Sequence, residues 1–131
     1  MIFNLDKRTY LAKSPRTMLA FGERLRGMIG RRFSPEMDAA VFPNCNSIHT
    51  LFMGRPLDVV FLDGESRIVK LAAGLPPWRP VTGCRRAVTV IELPPGAIRA
   101  SASEVGDFVN LNMNLAPETA KSIGLCQESQ F

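Results

Sequence analysis

A single histidine, a single tryptophan and a single tyrosine stand in a chain of 131 residues, and cysteine occurs only at positions 45, 84 and 126. One histidine, His49, excludes every metal site that needs two or more imidazoles, including the clusters that many jelly rolls carry. No Cys-x-x-Cys pair is present, so the three thiols and His49 do not form a recognisable zinc motif, and neither a metal nor another cofactor is expected. Long apolar runs are missing as well. The longest aliphatic and aromatic run is Val59 to Leu62, far short of the ~18 residues of a membrane-spanning helix. The first residues, Met1 to Lys13, lack the apolar stretch of a secretory signal, and an odd number of cysteines suits reduced thiols. A cytoplasmic protein without membrane contact is the resulting expectation. There is no Gly-rich phosphate loop, nucleophile elbow or Glu-x-x-His signature, and an enzyme is not the first expectation.

What is present suits one domain. The length lies inside the roughly 100–200 residues of an undivided core, with 46% apolar and 21% charged residues. Ten Gly and ten Pro favour a turn-rich β architecture over a helical bundle. The net charge of +4 is uneven: residues 1–32 hold eight Lys and Arg against Asp6 and Glu23, giving +6 and leaving −2 for the remainder. Arg24, Arg26, Arg31 and Arg32 could meet an acidic protein partner. Nucleic acid is not expected, because no aromatic platform accompanies these charges.

Hydrophobic periodicity divides the chain. Ser14-Pro15-Arg16 reads as a helix start, with Met18, Phe21, Leu25, Met28 and Ile29 at helical spacing and Gly30 as terminator. Period-2 and short apolar runs then predict strands at 39–42, 48–53, 57–62, 67–72, 87–93 and 108–111, with weaker candidates at 2–5 and 9–12. Gly54-Arg55-Pro56 and Asp63-Gly64-Glu65-Ser66 read as hairpin turns, and 97–102 as a short helix. Together these elements predict a mainly β, single-domain antiparallel sandwich or barrel of jelly-roll type, with one main amphipathic helix near the N-terminus. The β-rich domain is expected over 1–112 and a weakly packed tail over 113–131.

Several blocks of this sequence resemble the domain-of-unknown-function 192 family in that family's order. They are Leu25 to Arg31, Ser47 to Asp63, Pro77-Trp78-Arg79, Ile91 to Gly96 and Gly106-Asp107. Where many members carry Trp-Met-Lys-Asn-Thr, this chain has Leu51-Phe52-Met53-Gly54-Arg55, as in the subgroup with Ile-His-Thr before the Met. The resemblance implies a compact, mostly β domain of jelly-roll type and no particular reaction.

Polar residues set in apolar strands are the candidate site. Asp58 interrupts Leu-Asp-Val-Val-Phe-Leu, where a carboxylate needs several hydrogen bonds or a cation to offset its desolvation. It either ties neighbouring backbone amides together or faces a ligand. If Met53 pairs with Leu57 across the Gly54-Arg55-Pro56 turn, Thr50 and Asp58 share a face and His49 points to the other. Trp78, in the stiff segment Pro76 to Pro80, either caps one end of the fold or stacks on a ligand. Glu92 reads as an outward strand residue paired with Arg79 or Arg85. The leading expectation is a binding or accessory domain in which His49, Thr50, Asp58, Trp78, Arg79 and Glu92 recognise a small polar ligand or peptide. The alternatives are a metal-independent hydrolase or isomerase using Asp58 or His49, and an interaction module working through the basic helix.

Overall fold

Strand Leu57–Leu62 is buried at every position and has a hydrogen-bonded neighbour on both edges, which makes it the centre of this computed structural model. The structure describes residues 1–18, 33–48, 55–77 and 82–111. In chain order the elements are β1 (Ile2–Asn4), β2 (Thr9–Ala12), β3 (Pro15–Thr17), β4 (Ala39–Pro43), β5 (Ser47–Ile48), β6 (Leu57–Leu62), β7 (Ile68–Leu75), β8 (Thr82–Gly83), β9 (Thr89–Leu93), α1 (Ala97–Ser101) and β10 (Val109–Leu111). They form a five-stranded sheet in the order β3-β4-β9-β6-β7, a three-stranded sheet β10-β1-β2, and a ribbon of β5 with β8. The fold is mainly β, and among the described residues no sheet closes into a barrel.

A strand covered on both faces has no need of polar alternation, and this explains the near-continuous apolar run of β6. On one face of the five-stranded sheet, Val41, Val60, Leu62, Ile91 and Leu93 pack against Ile2, Leu11, Ala12 and Val109 of the three-stranded sheet and Ile98 of α1. On the other face lie Ala40, Phe42, Leu57, Val59, Phe61 and Val90, with Met18 over them and Ile48, Cys45 and Cys84 at the β5–β8 ribbon. Lys70 of β7 fastens that ribbon by donating to the Gly83 carbonyl at 2.8 Å. Gly83 is required there: a Cβ would stand 2.8 Å from the Asn46 carbonyl oxygen.

Three expectations need correction. Residues 15–17 are not a helical turn but strand β3, which runs parallel to β4 with Arg16 opposite Ala40. Proline's fixed φ suits an extended edge strand as well as a helix start. Asp38 decides between them, because its two carboxylate oxygens accept the Lys13 and Ser14 N–H groups and hold the segment beside β4. The parallel pair departs from the all-antiparallel expectation, and the stretch 18–38 between its strands is long enough for the crossover it requires. The helix expected beyond Thr17, with Arg24, Arg26, Arg31 and Arg32, otherwise lies outside the described residues, as does the tail from 113.

The third correction concerns the hairpin expected at Gly54-Arg55-Pro56. Strand β6 has only two edges, and β7 and β9 occupy them. Asp58 pairs with Leu93, so the register that placed Phe52 opposite Asp58 does not form. The Asp63-Gly64-Glu65-Ser66 hairpin is present. Asp63 Oδ1 accepts the Glu65 and Arg67 N–H groups, and Ser66 takes the left-handed region at φ 63°. The short helix after Pro94-Pro95-Gly96 is also present as α1.

Candidate functional site

Asp58 and Glu92 are the two of the six candidate residues that fall within the described chain, and the sheet separates them. Leu93 pairs with Asp58 and Glu92 pairs with Val59, so strand alternation sends the two carboxyl groups to opposite faces. They cannot line one rim. His49, Thr50, Trp78 and Arg79 lie outside the described residues.

Asp58 is committed to the backbone. Its Oδ1 accepts the Gly74 N–H at 2.7 Å, and its Oδ2 accepts the N–H groups of Gly96 at 3.1 Å and Ile98 at 2.9 Å. Two local features aim these donors. The pairing of β6 with β7 slips between Leu57 and Val59, and Gly74, at φ 62°, turns its N–H out of the ladder toward the carboxylate. Helix α1 has no side-chain cap of its own at Gly96, and Asp58 satisfies its first donors from a strand 38 residues away. With 1% exposure and three donors engaged, Asp58 is placed to join β6, β7 and α1, not to move a substrate proton.

Glu92 has the opposite character. It is 4% exposed, stands between Ala40 of β4 and Val59 of β6, and its Oε2 has no hydrogen-bond partner among the described residues. The expectation of an outward glutamate paired with Arg79 or Arg85 is therefore overturned on its orientation: Glu92 is buried, while Arg85 is exposed. Burial among hydrocarbon pushes its carboxyl up to about 8, because the charged form loses hydration that no neighbour replaces. At neutral pH it is mostly uncharged and can donate as well as accept a hydrogen bond. The row Arg16, Ala40, Glu92, Val59 and Ala72 crosses the whole sheet on this face.

A polar cluster escaped the sequence reading. Asn4 is fully buried: its Oδ1 accepts the N–H groups of Asp6 and Lys7, and its Nδ2 donates to Ser103 Oγ and Asp107 Oδ2, each at 3.0 Å. Burial raises the Asp107 carboxyl, but hydrogen bonds from Asn4, the Glu104 N–H and Lys7 outweigh it and hold the group below its usual range. The signal available was Asn4-Leu5-Asp6-Lys7, a side chain positioned to bond its own turn. Every member has a partner, so this cluster joins β1 to the end of α1 and presents nothing to a ligand. An open depression of about 410 Å³ beside the β6–β7 turn, lined by Asp63, Glu65, Arg67 and Arg86 among others, includes none of the six candidates. Among the described residues no group of three or more His, Cys, Asp or Glu is placed to hold a metal ion, and no helix is long and apolar enough to cross a membrane.

Comparison with known proteins agrees with this architecture. A protein of unknown function from Novosphingobium aromaticivorans has the same fold at a TM-score of 0.64, covering 74% of each chain at 19% identity. A UPF0127 protein of Pyrococcus furiosus is 41% identical over 66 residues, 50% of this chain and 56% of its own length. Another, from Pyrococcus abyssi, is 41% identical over 63 residues, 48% of this chain and 53% of its own. The chain thus spans about half the length of these curated relatives. The family profile of DUF192, "Uncharacterized ACR", matches residues 12–111. That match includes β3 through β10 with Asp58 and Glu92, and the chain belongs to the domain-of-unknown-function 192 family.

Proposed function

We propose that the domain is a binding or accessory module whose recognition group is Glu92, and that it takes a small polar ligand or a peptide. One observation carries this reading: a carboxyl oxygen buried in the sheet without a partner among the described residues. Burying an unsatisfied polar group costs on the order of 1–3 kcal/mol, and a fold gains nothing from it. Asp58 has three donors, whereas Glu92 Oε2 has none among the described residues. Groups that weaken a fold in this way are typical of function retained at the expense of stability. A cytoplasmic setting belongs to the same proposal, and so does a jelly-roll-type arrangement, which the mostly antiparallel pairing of strands distant in sequence supports.

The test is a thermal-shift screen of metabolites and short peptides on wild type and Glu92→Gln side by side. A ligand present at ~100 times its dissociation constant should stabilise the wild type by about 2.7 kcal/mol and the variant much less. A broad screen in which every hit shifts both proteins equally contradicts Glu92 as the recognition group.

A further inference from the structure

We infer that the Glu92 face takes an organic monocation, an ammonium or guanidinium carried on a short aliphatic body. The inference rests on the binding role proposed for Glu92 and adds the charge and shape of the ligand. The neighbours supply both. Beside the carboxyl stand Ala40 and Val59, and the adjoining row is Phe42, Val90 and Phe61, so the surroundings offer hydrocarbon contact for a ligand body. The charged and titratable groups on this face, among the described residues, are few and already placed. Arg16 lies at the exposed β3 end of the row, two strand spacings or about 10 Å from Glu92 by backbone. Lys70 of β7 lies on the next row and is bound to the Gly83 carbonyl. The Cys45 thiol bonds the Ser47 carbonyl, and Cys84 packs at the ribbon. No cation from β3, β4, β6, β7 or the ribbon reaches Glu92 Oε2.

A ligand that enters such surroundings must replace the hydration that an ionised carboxylate has lost. A cation does this through a charge-assisted bond, while an anion is repelled and a neutral donor offers the weaker, uncharged bond. One carboxylate matches one positive charge. The high proton affinity of Glu92 then links binding to pH, because the cation displaces the proton. Apparent affinity should rise about tenfold for each pH unit between 6 and 8 and level off above that. The 4% exposure of the site means that the ligand enters through a more open state, whose population scales the apparent affinity.

The experiment is an NMR chemical-shift titration at fixed ionic strength at pH 6, 7 and 8. Its probes are n-butylamine and n-butylguanidine, with n-butyramide, n-butanol and butyrate as controls. The expected result is saturable binding of the two cations alone, tightening about tenfold per pH unit and lost in Glu92→Gln. Calorimetry of the wild type at pH 7 in buffers of different ionisation enthalpy should show release of close to one proton, a readout independent of any variant. Binding of butyramide or butanol that needs Glu92 and weakens as pH rises would overturn the cation while leaving the binding role of Glu92 intact. Cation binding without proton release, or equal in Glu92→Gln, overturns the inference directly. Absence of Glu92-dependent shifts with every probe overturns the cation inference, and the metabolite and peptide screen then decides the broader role.

Discussion

Replacing Glu92 with glutamine should give a protein that is slightly less stable than wild type near pH 5 and clearly more stable near pH 8. The folded carboxyl titrates at about 8, whereas the unfolded chain titrates near the ordinary 4.5. Between those values unfolding releases a proton, so wild-type stability falls by about 1.4 kcal/mol per pH unit; below 4.5 and above 8 this contribution is flat. Glutamine has the same size and does not ionise. The difference between variant and wild type should therefore grow by on the order of 4 kcal/mol across the window, with a crossing near pH 6 once the unbonded amide is counted against glutamine. Urea denaturation at half-unit pH steps measures it, and taking the difference removes every other titrating group. A difference independent of pH would mean that Glu92 is solvated or paired.

Asp58→Ala is the second large effect, and its sign is opposite. Removing the carboxylate strands the N–H groups of Gly74, Gly96 and Ile98 in the core beside Leu93 and Ile98. Buried donors that lose a charged acceptor cost about 1.5–3 kcal/mol each, less than additively, so a loss on the order of 3–5 kcal/mol is expected. A typical domain has only 5–15 kcal/mol in all, which brings this variant close to unfolding. Asp58→Asn keeps an oxygen for the Gly96 and Ile98 donors but sets an amide NH2 against Gly74, and should lose about half as much. Chemical denaturation at 10 °C provides the comparison. An Ala variant as stable as wild type would remove the structural role assigned to Asp58.

The two acids also show where sequence reading succeeds and where it stops. Strand β6 was legible to the residue, since burial on both faces leaves an uninterrupted apolar run bounded by Pro56 and Asp63. Thr9–Ala12 and the Asp63–Ser66 turn were legible for the same reason: each is specified by residues within a few positions. Partners of β6 were not. The Gly54-Arg55-Pro56 turn suggested a neighbour close in sequence, while the actual neighbours include β9, some thirty residues on, and long-range pairing leaves no local mark. The same limit governs Asp58. Its isolation in an apolar run announced that it needs donors, but those donors sit at 74, 96 and 98. Glu92 interrupts Val-Ile-Glu-Leu in the same manner, and the pattern alone does not tell a saturated acid from an orphaned one. That distinction arises from one residue of register and from Gly74 and Gly96, whose positive φ angles belong to the stretches that bring N–H groups to one face and not to the other.

A carbon-13 NMR titration of the glutamate side-chain carboxyls, with the Glu92 resonance assigned by its loss in Glu92→Gln, tests directly whether the buried Glu92 carboxyl is uncharged at neutral pH. The expected midpoint for Glu92 is near 8. A midpoint at the ordinary glutamate value near 4.5 would contradict it.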